Sequence, residues 1–158
     1  DLKLTGLQGD VMKESMNVAK TLAWNLSSSD CKKIFFDDEN KEKGLHIHCP
    51  EGAVPKDGPS AGTAITVAIY SLINNKKIKN DIAITGEINL QGMVTEIGGL
   101  ELKILGGMKA GVKSFIYPHS NIKDFNKFLE KYKELDISNI TFYPVKEISE
   151  VFKLVFIE

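Results

Sequence analysis

The octet PKDGPSAG, residues 55–62, crowds two prolines and two glycines around one serine and runs directly into GTAITVAIYSLI, residues 62–73. No other part of the chain restricts the fold as strongly. A run that is apolar nearly all round is a helix buried on every side, so the remaining segments must build layers around it. Asp57, Gly58 and Pro59 cannot continue a regular strand, which places Ser60 where the buried helix begins. There the hydroxyl lies beside N–H groups without intrahelical partners and at the positive end of the helix dipole. Two readings follow. Ser60 caps the helix, or it is a nucleophile whose oxyanion those donors stabilise. Gly58 and Gly62 favour the second, because a cap does not require them and the close approach of a substrate chain does.

The flanking segments supply the layers. Asp10 is placed to cap a helix over 11–26, with Val11, Val18, Leu22 and Leu26 on one face. Residues 27–44 are polar and charged around one IFF triplet, which predicts a long exposed loop or loose hairpin. Leu45, Ile47 and Cys49 alternate with His46 and His48, the period of a half-buried strand. IAITGEINL (82–90) and MVTEI (93–97) flank Gln91-Gly92 and read as a hairpin. LELKILGGMKAG (100–111) is a helix ending at Gly111, and SFIYP (114–118) is a buried strand. Ile122, Phe125, Leu129 and Tyr132 mark a further helix, ITFYPV (140–145) a strand, and Ile148, Val151, Phe152 and Val155 a last helix. Strands and helices interleave without a repeat over 158 residues, enough for one core. The expectation is a single compact α/β (α+β) domain, mixed sheets with packed helices.

Charge and cysteine usage exclude several functions. The formal net charge is -1 and all 20 basic side chains are lysine. Without a basic excess or a guanidinium fork, nucleic acid is not an expected partner. Cys31 and Cys49 make no disulfide framework, and no His/Cys set has zinc-ligand spacing, so no metal is expected and a reducing compartment fits. No signal-peptide pattern or membrane-spanning run is present, so a soluble, non-secreted protein without a membrane partner is expected. The start at Asp1 without methionine suggests a piece of something larger.

GPSAG also matches the G-x-S-x-G elbow of α/β-hydrolases, and Asp81 followed by His119 satisfies that family's chain order. Against this, Pro55 and Pro59 interrupt the required strand, and His119 lies in PHSN, which reads as a turn before a helix. A lysine whose pKa burial lowers from about 10.4 is another base. Lys103 suits that role: it lies among Leu100, Ile104, Leu105 and Met108, and its stem leans over Leu100 and Gly99. Gly106 and Gly107, each costing roughly 1 kcal/mol in a helix interior, imply that another backbone comes close. Ser29-x-x-Lys32 and Ser120-x-x-Lys123 lack the accompanying motifs of penicillin-binding enzymes. GGMKAGVKS has one residue too many before its lysine for a phosphate loop and does not open a helix. His46 and His48 share one side of a strand without an evident third ligand, and a structural or site-lining role is preferred to metal binding.

PKDGPSAG, the preceding HIHCPEGAV, then TGEINLQGMVTEIGGLELK and AGVKSFIYP resemble the proteolytic domain of the Lon family of ATP-dependent proteases, and TGLQGDVMKES resembles its first helix. The resemblance runs from about Thr5 to the end. It implies a Ser/Lys dyad, with Ser60 the nucleophile and Lys103 the general base. It also implies a supporting hydroxyl at Thr85, an active-site-loop aspartate at Asp57, and an oxyanion and substrate loop at Gly58 and Pro59. Where the family commonly has G-G-[LI]-K-[ED]-K, this chain has GGLELK, keeping the base but placing Glu101 and Leu102 before it. The implied protein is an ATP-dependent serine endopeptidase acting on unfolded, damaged or regulatory proteins. Residues 1–158 would be its C-terminal proteolytic domain, without cofactor. ATP and Mg would belong to a preceding AAA+ module, the full-length protein would be a homohexamer, and its compartment the bacterial cytoplasm or mitochondrial matrix. An esterase built on the elbow and a non-catalytic assembly module are the alternatives.

Overall fold

In the computed structural model, which describes residues 2–6, 9–37, 45–48 and 58–158, the chain begins with β1 (Leu2–Thr5), α1 (Asp10–Leu26), α2 (Ser29–Asp37) and β2 (Leu45–His48). There follow α3 (Gly62–Asn74), β3 (Ile82–Ile84), β4 (Glu87–Ile88), β5 (Val94–Thr95), α4 (Leu100–Lys109) and β6 (Ser114–Pro118). A short 3-10 turn (His119–Asn121), α5 (Ile122–Lys131), β7 (Thr141–Val145) and α6 (Ile148–Val155) complete it. The expected α/β class, mixed sheets with packed helices, is what these elements build.

A parallel sheet ordered β3-β6-β7 lies at the centre, with β6 in the middle. Parallel strands covered on both faces read as continuous apolar runs, and SFIYP does so. Successive side chains of β6 serve opposite faces. Phe115 and Tyr117 pack with Leu100 and Ile104 of α4 and Phe128 of α5. Ile116 packs with Leu22 of α1, Val67 of α3 and Val151 and Val155 of α6. Helices α4 and α5 thus cover one face, and α1, α3 and α6 the other. Ala19 and Ala23 of α1 meet Ile69 and Ile73 of α3, where small residues let the two helices approach.

Three local expectations need correction. Helix α1 starts one residue earlier than expected: Gly9 occupies the cap position, and Asp10 lies in the first turn as a charge favourable to the dipole, not as a side-chain cap. Within the expected loop at 27–44, residues 29–37 form α2. Ser28 Oγ accepts the Cys31 N–H at 3.1 Å, and Phe35 and Phe36 pack edge-on against Trp24 with ring centroids 6.1 and 5.1 Å apart, while Ile34 stays exposed. The expected hairpin is shorter than 82–97. Ile82–Ile84 leaves it to pair with β6, and only Glu87–Ile88 pairs antiparallel with Val94–Thr95.

The switch between sheets occurs at Gly86, whose φ of +149° is one that L-residues rarely adopt. A Cβ there would stand 2.6 Å from Val94 Cγ1 and 2.9 Å from Thr63 Oγ1. Gly86→Ala should therefore lower unfolding stability by about 2 kcal/mol or more through strain and overpacking, measured by urea denaturation. Parent-like stability would show that the bend relaxes freely.

Candidate functional site

Ser60 lies in the turn ahead of α3, where the Gly62 N–H donates to the Pro59 carbonyl at 3.0 Å. The cap position belongs to Ala61, and no side-chain cap hydrogen bond is made, so the capping explanation of Ser60 fails. Its backbone is anchored instead, with the Ser60 carbonyl accepting the Gly86 N–H at 3.0 Å and the Thr63 N–H donating to the Gly86 carbonyl at 3.1 Å.

Of the two glycines beside the serine, one has a different cause from that expected. Gly62 is required by internal packing: a Cβ would stand 2.8 Å from Ser15 Oγ of α1 and 3.0 Å from Ile88 Cγ2 of β4. Gly58 adopts φ +128°, and the space beside it is open. Only Gly58 fits the approach of a substrate. Asp57 lies outside the described residues.

Thr85 continues β3 by one residue, its N–H donating to the Ile116 carbonyl at 3.0 Å. Its side chain is buried, and among the described residues its Oγ1 and that of Thr63 are buried without a hydrogen-bond partner. Such a group costs about 1–3 kcal/mol, a sign that it serves something other than stability. Lys103 comes from the first turn of α4, its N–H donating to the carbonyl of Gly99, which is left-handed at φ 71°. The side chain is half-buried, and desolvation pushes the amine below the ordinary lysine range.

These side chains share one pocket of about 280 Å³, in which Ser60, Thr85 and Lys103 meet the apolar surfaces of Ala83, Ile84 and Phe115. Among the described residues that line it, Lys103 is the only ionisable one. Gly107 belongs to the same wall, and a Cβ there would stand 3.2 Å from Val112 Cγ2 and 3.4 Å from the Phe115 ring. The close neighbours are side chains, not the backbone expected, and Gly106 has nothing close. Pro59 lines an adjoining cleft with Asp10, Glu14 and Glu87. Glu101 is engaged elsewhere, accepting a hydrogen bond from Lys131 Nζ at 2.8 Å, which together with a bond from the Tyr132 hydroxyl lowers its pKa.

Asp81 and His119 do not join Ser60. His119 is exposed, and the Asp81 carbonyl accepts the N–H groups of Lys113 and Ser114. Ser29 and Lys32 lie on α2, and Ser120 and Lys123 are exposed on the turn and first residues of α5. His46 Nε2 is 2.8 Å from Thr5 Oγ1, joining β2 to β1; the His48 side chain lies outside the described residues. Among the described residues no group of three or more His, Cys, Asp or Glu could hold a metal ion. The apolar wall of Ala83, Ile84 and Phe115 escaped the sequence reading, because residues on strands facing a site have the same pattern as those facing a core.

A serine and a half-buried lysine amine line one pocket, on a parallel sheet between helical layers. Comparison with known families covers the whole chain: residues 1–158 match the Lon protease (S16) C-terminal proteolytic domain. The chain belongs to this family, which is one of serine peptidases. It is 44% identical over 160 residues to the Lon protease of Fusobacterium nucleatum, covering 100% of this chain and 20% of that protein. It is 43% identical over 155 residues to the Lon protease of Elusimicrobium minutum, covering 98% and 18%. It is also 44% identical over 134 residues to a mitochondrial Lon protease homolog of Phaeodactylum tricornutum, covering 84% and 15%. The chain thus spans about a fifth of the length of the first two.

Desolvation of Lys103 has a consequence for stability. Its folded pKa is depressed, so between the folded and unfolded values the unfolded chain binds more protons, and stability rises with pH across that window. Lys103→Met removes the charge at similar length. The variant should melt no lower than the parent at neutral pH, with any advantage closing as pH approaches about 10.4. A strongly destabilised variant in thermal scans would mean that the amine stabilises the fold.

Proposed function

We propose that the chain hydrolyses peptide bonds through Ser60 as nucleophile and Lys103 as general base. The observation that supports this reading is the shared pocket, in which a serine hydroxyl not used as a cap faces the same space as a lysine pushed toward its neutral form. Neutral Lys103 takes the Ser60 proton, and the alkoxide attacks the substrate carbonyl to form a tetrahedral intermediate. Backbone N–H groups of the Gly58–Ser60 turn, near the positive end of α3, hold the oxyanion. The lysinium then protonates the leaving amine, and water, deprotonated by the same amine, hydrolyses the acyl-enzyme. The unpartnered Thr85 hydroxyl accepts from the amine and orients it. Asp57, three residues before the serine in the sequence, is a further residue of the site in this reading.

In the longer protein, residues 1–158 are the C-terminal proteolytic domain. An ATPase module binding ATP and Mg unfolds damaged or regulatory polypeptides and delivers them to a homohexameric chamber. No described helix is long and apolar enough to cross a membrane. The working compartment is the bacterial cytoplasm or the mitochondrial matrix, a reading supported by relatives from bacteria and a mitochondrial homolog.

Hydrolysis of a fluorogenic peptide by the chain and by a hexameric longer form tests the dyad. Ser60→Ala and Lys103→Ala should each lose about 10³-fold or more in kcat, with His119→Ala unchanged. Because only the unprotonated amine acts, kcat/KM should rise with pH along an acid limb whose midpoint lies below about 10.4. Dependence on His119 would instead indicate the hydrolase elbow, and inactivity of both forms an assembly module.

A further inference from the structure

We propose that Asn121 is a positioning residue for Lys103: its side chain clamps the backbone N–H and C=O of Ile97 and so fixes where α4 starts and how Lys103 enters the pocket. The inference rests on the reading of Lys103 as the base.

Asn121 closes the 3-10 turn after β6 and is entirely buried, at 0% exposure. Its Oδ1 accepts the Ile97 N–H at 3.0 Å, and its Nδ2 donates to the Ile97 carbonyl at 2.8 Å. The Asn121 carboxamide thus pairs with both the N–H and the C=O of one residue, as a neighbouring strand would pair them. Nδ2 also donates to Asp124 Oδ2 at 2.8 Å. A carboxylate only accepts, so Asp124 dictates which end of the amide faces the Ile97 N–H.

The clamp acts where the chain has little else to hold it. Gly98 and Gly99 separate Ile97 from α4, and a Cβ at either would meet nothing within 4 Å. Two residues without side chains leave the direction of α4 undetermined from their side. The fixed points are Ile97 before them, buried at 7% with its backbone held by Asn121, and Leu100, buried at 3%, after them. Gly99 receives the Lys103 N–H, so a shift at residue 97 passes through one hydrogen bond to the base. Glu101, bonded to Lys131 and Tyr132, adds a second tie from α4 to the α5 region, at the surface and one turn on. Asn121 is the buried tie, and among the described residues no other ionisable side chain lines the pocket to compensate a displaced amine.

The test is an NMR titration of ε-13C-labelled lysine in the 158-residue chain, with the Lys103 signal assigned by its loss in Lys103→Met, together with the pH profile of peptidase activity. In Asn121→Ala the Lys103 midpoint should move up toward the ordinary lysine value as water reaches the amine. The acid limb of kcat/KM should move with it, and kcat should fall by about 10-fold or more with KM changed less than twofold. Asp124→Ala, at an exposed position, should shift the midpoint in the same direction by less, and it carries the test if Asn121→Ala does not fold. A lower melting temperature with midpoint and limb unchanged in both variants would overturn the inference, since a merely structural asparagine predicts that result. If Lys103→Ala stays active, the dyad reading fails instead, while the titration still reports whether Asn121 places the amine.

Discussion

The candidate site depends on a small piece of backbone pairing between the turn that holds Ser60 and the bend at Gly86. Two hydrogen bonds, Gly86 N–H to the Ser60 carbonyl and Thr63 N–H to the Gly86 carbonyl, join the start of α3 to the end of β3. Each contributes only about 0.5–1.5 kcal/mol net, yet together they fix the register of the serine against Thr85. Thr85 is itself tied to the Ile116 carbonyl of the central strand, so the position of Ser60 is inherited from the parallel sheet. The serine hydroxyl is left free of structural duty.

The rest of the pocket comes from the layer on one side of that sheet. Helix α4 packs Leu100 and Ile104 into the aromatic core around Phe115 and Phe128, which leaves Lys103, between them, at the edge where Ala83 and Ile84 of β3 form the wall. The half-buried amine and the orphaned Thr85 hydroxyl both oppose stability, the first by desolvation and the second by an unmade hydrogen bond. Their coincidence in one pocket follows the general pattern that local rules are broken where chemistry is done.

Much of the architecture was legible from period and punctuation. SFIYP, ITFYPV, the helix after PHSN and the last helix stand close to where their patterns place them, because each has one strongly apolar face or run. Helix α2 was hidden because its apolar residues are few and adjacent, and only packing against Trp24 gives Phe35 and Phe36 a face. The hairpin reading was too long because alternation over 82–90 suits a parallel strand and an antiparallel one equally. Gly62 was noticed for a substrate's approach when it serves the contact of α3 with Ser15 and Ile88. A glycine reports that space is short without saying what fills it. Asn121 carried no signal, since asparagine in a turn is ordinary and its partner at Ile97 is distant in the chain.

By itself the sequence determined the chemical inventory. It supplies one serine in a loop of prolines and glycines before a buried helix, a lysine set among apolar residues, and motifs that resemble one peptidase family over nearly the whole chain. Tertiary structure alone decided that Ser60, Thr85 and Lys103 face one pocket while Asp81 and His119 do not, and that the buried Asn121 grips the segment leading to the lysine. The reason is physical. Periodicity reports which side of an element avoids water, a local property of side chains. Which strand pairs with which, and which backbone groups satisfy one another across the core, is settled only when β3 and β7 close on β6 and the helices pack against both faces.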